Sequence, residues 1–177
     1  ALIVLAAAVV TAVGLFGCGA ALNDVLDARH DAAFSPHRPI PAGRIRPGQA
    51  VVVAVTALMV AVLAAAVLGP WSVWLTLFTA SLVLFYNAAA RFVPAVGIVT
   101  IGIIHAVHML IPYAELPVLL PVWWSMSHAM VLAIGVHVLE SKRPRLSGRA
   151  MLGIAMGWAF WSVMLLLLAL DRGVGVW

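Results

Sequence analysis

Apolar runs about 20 residues long recur along the whole chain, each separated from the next by proline, glycine or charge. A helix of ~20 residues rises about 30 Å, the thickness of a bilayer's hydrocarbon core. Six such spans can be drawn, at 1–23, 49–69, 71–90, 94–112, 117–139 and 150–170. Gly69-Pro70 separates the second from the third, Pro94 opens the fourth, and Pro112, Pro117 and Pro121 bracket the turn into the fifth. Barrel strands would show alternation over ~10 residues, and none is visible. Only 9% of residues are charged and 65% are hydrophobic, against about 25% charged in an ordinary soluble domain. That is too little polar surface to cover a water-soluble fold. The fold class that follows is all-α, a polytopic transmembrane helix bundle of about six spans. It reads as a single domain over 1–177, with no soluble domain and no internal repeat.

The net charge is +4 and the isoelectric point about 10.2. In a soluble protein this would suggest nucleic acid, but here the basic residues occupy short loops between apolar runs. Alternating the six spans across a membrane puts Arg29, Arg38, Arg44, Arg46, Arg91, Lys142, Arg143, Arg145 and Arg149 on one side and only Arg172 on the other. This sorting matches the positive-inside rule, so the chain is expected to bind no nucleic acid. The loops at 29–46, 91 and 142–149 are expected to face the cytoplasm, and Glu115 and Asp171 the far side. The lone Cys18 reads as a small packing residue.

Three of the six acidic residues, Asp24, Asp27 and Asp31, stand at the cytoplasmic end of the first span. If the helix continues there, their i, i+3, i+7 spacing puts them on one face, with Asn23 at its edge. Like charges at that spacing repel, and a carboxylate deep in a membrane helix costs roughly 2.5–3.5 kcal/mol, less near the interface. A divalent cation would offset that cost; Mg²⁺ prefers carboxylate oxygens and bridges them to substrate phosphates. The plainer reading is a polar helix end neutralised by Arg29 and its basic neighbours. The next segment, His37-Arg38-Pro39-Ile40-Pro41-Ala42-Gly43-Arg44, is a turn with two guanidiniums that could hold a diphosphate or anchor topology.

Asn-Asp-x-x-Asp-x-x-x-Asp followed by Arg-Pro-x-Pro-x-Gly-Arg, over residues 23–45, resembles the UbiA superfamily of intramembrane prenyltransferases. Tyr86-Asn87-Ala88-Ala89-Ala90-Arg91, with Pro94 and Gly97 after it, is similar to a segment that the family ends in lysine; Arg91 stands there instead. The family's second aspartate motif would fall at 137–143. There His137 replaces the first Asp, Glu140 the second, and Lys142 and Arg143 lie nearby. A histidine nitrogen is a poor Mg²⁺ ligand, so the second metal site is expected to be weakened, or its charge partly taken over by those two cations. The family has nine helices. The six here look like the second to the seventh, which implies a chain truncated at both ends, in keeping with its start inside an apolar run without Met.

The resemblance implies Mg²⁺-dependent transfer of a prenyl group from a polyprenyl diphosphate to an unknown acceptor, often aromatic, in the membrane. It makes Asp24, Asp27, Asp31, Tyr86 and Arg91 catalytic candidates. Asp24, Asp27, Asp31, Glu140 and His137 become metal candidates, and Asn23, Arg38, Arg44, Lys142, Arg143, His105 and His108 substrate candidates. His105 and His108, i and i+3 in the fourth span, read as acceptor-pocket lining or as hydrogen-bonded interior histidines; His128 is weaker on both counts. The implied setting is a bacterial inner membrane, with membrane lipid around the bundle. Two rivals remain: a divergent or non-catalytic homologue that binds or transports an anionic or isoprenoid ligand, and a haem-associated protein using His105 and His128. Trp71, Trp74, Trp123 and Trp124 read as an interfacial aromatic belt. Trp158 and Trp161 read as packing residues, and Gly153-x-x-x-Gly157 as a helix contact.

Overall fold

The structure, a computed structural model, describes residues 1–113 and 119–171. Its helices are α1 (Leu2–Phe34), α2 (Pro47–Leu68), α3 (Pro70–Ala88), α4 (Pro94–Leu110), α5 (Leu120–Leu139) and α6 (Gly148–Asp171), with 3₁₀ turns at Ala90–Phe92 and Ile111–Tyr113. No strand occurs among the described residues. Five helices are long and apolar enough to cross a membrane, and α4 is a shorter apolar helix. The fold class read from the sequence is the one observed. Several boundaries shift by one to three residues, α5 opening at Leu120 rather than 117 among them, and the ends of α1 and α4 shift for physical reasons. α1 runs 33 residues, well beyond its apolar run, and α4 stops at Leu110, where the 3₁₀ turn through Pro112 takes over. Glu115 and Arg172 lie outside the described residues. The chain divides into two compact units, Ala1–Ala88 and Ala89–Trp177.

In the first unit, α1 and α2 pack antiparallel at very short range. A Cβ on Gly14 would stand 2.7 Å from the Ala57 carbonyl oxygen and 2.9 Å from the Ala61 Cβ, so glycine is what permits the approach. Buried Thr11 donates to Ala7 O one turn back (2.8 Å) and lies 3.4 Å from Ala61 O across the interface. The buried residues of α2 are all alanine, at 50, 54, 61 and 65, while Val51, Val52, Val53, Val55, Met59 and Leu63 are exposed. Small residues inside and large apolar ones outside invert the order of a water-soluble core. Lipid is the solvent that permits it: hydrocarbon tails solvate Leu and Val, and close backbone packing drives association. Gly69, at φ +122, makes the one-residue joint between α2 and α3, a conformation glycine adopts without strain.

In the second unit, α4 takes α5 and α6 against two of its faces. Gly102 of α4 receives the Met130 side chain, and Gly157 and Gly153 of α6 receive Val99 and Ala95 of α4. The Gly153/Gly157 motif is therefore a helix contact, as the sequence reading expected. Trp123 on α5 donates to Ser162 on α6, and Trp158 on α6 donates to Ser127 on α5, both at 2.9 Å. Their rings stand 6.0 Å apart. This reciprocal clasp satisfies two indole N–H groups that lipid could not. Trp123 therefore does more than join an aromatic belt, whereas Trp71, Trp74 and Trp124 are exposed as a belt requires.

Candidate functional site

At 1.5 Å per residue a 33-residue helix is about 50 Å long, more than a hydrocarbon core is thick. The excess length of α1 is its acidic end. The helix stays unbroken through Asp24, Asp27 and Asp31 to Phe34, the continuation on which the one-face reading depends. The chain then turns back over 35–46. Pro39 O accepts from the backbone N–H groups of Arg44 (3.0 Å) and Ile45 (3.2 Å), and Ile40 O accepts from Gly43 N–H. Gly43 sits at φ +71, which suits glycine in a tight turn. Pro47 at the start of α2 and the side-chain Oε1 of Gln49, which accepts from Arg46 N–H at 2.9 Å, close the loop into the next helix.

This turn brings Arg38 onto the acidic face. Its Nη1 donates to Asp31 Oδ2 at 3.1 Å and Asp24 Oδ1 at 3.3 Å. Asp31 is 5% exposed, whereas the Asp24 side chain is 40% exposed. A carboxylate buried to that degree needs a cation or several donors, and Arg38 supplies the cation. His30 stacks on Phe34 (4.6 Å between centroids), with its Nδ1 3.8 Å from Asp31 Oδ1. Arg44 is exposed, and its Nη2 donates to His37 O, so it braces the turn. Asn23 and Asp27 lie on the same helix, both half-buried.

Tyr86 and Asn87 lie near the C-terminal end of α3. A Cβ on Gly19 would stand 3.1 Å from Val83, so α3 passes α1 one turn before Asn23. α1 and α3 each pack against α2, and Tyr86 and Asn87 therefore stand at the acidic end of α1. Asn87 is buried and donates to Val83 O at 2.9 Å. It was not singled out from the sequence, although an amide late in an apolar span was the available signal.

In the second unit, Arg91 lies in the 3₁₀ turn before α4, its guanidinium carbon 5.0 Å from the Phe92 ring centroid. Gly97 lets that turn lie against α4, since a Cβ there would stand 3.0 Å from Ala90 O. His105 is exposed with Nδ1 2.9 Å from Ile101 O, His108 is half-buried, and His128 is exposed. The segment 137–142 ends α5 in a Schellman cap: Lys142 N–H donates to His137 O (3.0 Å) and Ser141 N–H to Val138 O (3.1 Å). Ser141 takes the left-handed position at φ 50. Glu140 pairs with Lys142 at 2.9 Å, both half-exposed or more. The His137 ring lies 3.0 Å from Pro144 O, and Arg143 is exposed.

The donor set of the first unit suits Mg²⁺. Asp24 and Asp31 converge on one cationic nitrogen, and Mg²⁺ typically takes one or two carboxylates and completes its shell with water and substrate phosphate. Among the described residues no group of three His, Cys, Asp or Glu side chains could close a metal site from protein alone.

The profile of the UbiA prenyltransferase family matches residues 1–175. The chain belongs to the UbiA prenyltransferase family. Two curated relatives are both named digeranylgeranylglyceryl phosphate synthase. The one from Methanosarcina barkeri is 33% identical over 86 residues, 49% of this chain and 30% of that protein. The one from Methanothrix thermoacetophila is 33% identical over 86 residues, 49% of this chain and 32% of that protein. The matches thus span less than a third of each relative's length. No solved structure matches the chain. With the apolar helices, membership of the UbiA family makes this an integral membrane protein.

Proposed function

We propose that the chain carries the diphosphate end of a Mg²⁺-dependent membrane prenyltransferase, which moves a prenyl group from a polyprenyl diphosphate to an acceptor. The observation that supports this most strongly is the meeting of Asp24 and Asp31 on a single cation at the end of a membrane helix. Asp24, Asp27 and Asp31 would hold Mg²⁺, which when bound neutralises the diphosphate leaving group. Arg38, on the turn, adds a guanidinium whose planar fork suits phosphate oxygens. Arg44 keeps that turn closed through His37 O. Tyr86, at the same end of α3, borders the space where the allylic carbon would react, and the apolar helices keep water from it. In the second unit, Arg91, Lys142 and Arg143 serve as further cations for an anionic ligand. The Glu140–Lys142 pair leaves Glu140 a weaker metal ligand than a free carboxylate would be.

The relatives' name favours a geranylgeranyl donor and a glyceryl phosphate acceptor over an aromatic one. The loops at 35–46 and 140–147 face the cytoplasm of a bacterial inner membrane, a placement supported by the one-sided distribution of basic residues. The test is transfer by the intact protein in detergent, with geranylgeranyl diphosphate, Mg²⁺ and either geranylgeranylglyceryl phosphate or an aromatic acid, read by mass spectrometry of the lipid product. The expected result is a Mg²⁺-dependent prenylated glyceryl phosphate, lost in Asp31→Asn. Absence of product with every acceptor class would favour a binding or transport protein on the same fold.

A further inference from the structure

The Arg38 guanidinium occupies the position between Asp24 and Asp31 where the proposed site needs a metal ion. One nitrogen, Nη1, serves both carboxylates, at 3.3 and 3.1 Å. Mg²⁺ holds its oxygens at about 2.0–2.1 Å, so an ion bridging these two oxygens would compete with the guanidinium for the space between the carboxylates and be repelled by its charge. We infer that Arg38 is a resident counter-cation for the Asp24–Asp31 pair, which yields its place to the divalent metal only when a diphosphate arrives to receive the guanidinium. This rests on the diphosphate reading above and adds an order of events to it.

Three features of the site support the exchange. The Asp31 side chain is 8% exposed, and a bare carboxylate so buried is costly, so some cation must be present before substrate. Arg38 lies on the turn between α1 and α2, outside both helices, and its side chain is 42% exposed, so it can leave without unwinding an element. Phosphate oxygens suit a guanidinium at least as well as carboxylates do, so diphosphate gives the departing group a destination. Metal alone must displace Arg38 and leave it without an anion. Metal with diphosphate does not. The two ligands should therefore favour each other's binding, and the coupling should run through Arg38.

The test is equilibrium dialysis of Mn²⁺, as a Mg²⁺ surrogate, against the intact protein in detergent, with and without inorganic pyrophosphate. A protein-free chamber corrects for Mn²⁺ complexed in solution. Wild type, Arg38→Gln, Arg38→Lys and Asp31→Asn/Arg38→Gln are compared. In the absence of pyrophosphate, Arg38→Gln should bind Mn²⁺ on the order of fivefold more tightly than wild type, the scale of a partly exposed ion pair. Pyrophosphate should tighten Mn²⁺ binding strongly in wild type and little in the variant. The double variant should lose the gain. Arg38→Lys keeps a charge for folding while losing the guanidinium's fork, and should fall between. Equal or weaker Mn²⁺ binding by Arg38→Gln, or a gain that persists in the double variant, would overturn the exchange and leave the diphosphate site standing. Failure of all four proteins to bind Mn²⁺, with or without pyrophosphate, would overturn the diphosphate reading itself and the exchange with it.

Discussion

Ser141 holds a position that chemistry would give to glycine. It is the C′ residue of the cap ending α5, at φ 50, where an L side chain brings its Cβ too near a carbonyl oxygen, at a cost of roughly 1–2 kcal/mol. Glycine avoids that cost but loses more chain entropy on folding. Ser141→Gly is therefore expected to stabilise the protein by about 0.5–1 kcal/mol, read as a higher melting temperature in detergent; a lower one would mean that the hydroxyl is needed. Single residues were also where the sequence was hardest to read. That Asp24 and Asp31 share a face followed from their spacing once the helix was granted. That Arg38, and not Arg29, reaches them depends on how 35–46 folds back, which no periodicity encodes. The Schellman cap likewise lies in the backbone of 137–142, where the residue types, with no glycine among them, do not announce it.

At the level of helices, the apolar runs predicted the elements well, because hydropathy and length alone decide whether a helix can cross a bilayer. The errors fall where a helix leaves the apolar region, at the end of α1, or tightens near proline, at the end of α4. Contacts between helices were legible only where glycine made them. Gly153 and Gly157 announced the α4–α6 contact, but the Trp123–Ser162 and Trp158–Ser127 pairs join residues 39 and 31 apart and require the register of two helices. Gly14 meets the backbone of the neighbouring helix, which cannot move aside as a side chain can, so Gly14→Leu should force α1 from α2. It is expected to cost about 1–3 kcal/mol, the usual penalty for overfilling a packed interface. Unfolding by denaturant in detergent would measure it, and an unchanged midpoint would mean that α1 and α2 do not pack as described.

For the whole molecule, the membrane determines what the residues can do. Large apolar side chains cover the outer faces of the helices, glycine and alanine make the closest helix contacts, and the charges collect at helix ends. The distribution of basic residues makes orientation testable. In a Cys18→Ala background, a cysteine at the exposed Ala42 of the 35–46 turn should react with a membrane-impermeant maleimide only from the cytoplasmic side, and one at Trp71 only from the other. The reverse labelling would contradict the charge sorting. The central claim, a metal-dependent diphosphate site on the acidic end of α1, is tested most directly by binding of a geranylgeranyl diphosphate analogue to the intact protein in detergent, with and without Mg²⁺, wild type against Asp24→Ala/Asp27→Ala. The account predicts binding that requires Mg²⁺ and falls by at least about tenfold in the double variant, a loss of about 1.4 kcal/mol or more. Binding indifferent to both metal and mutation would contradict it.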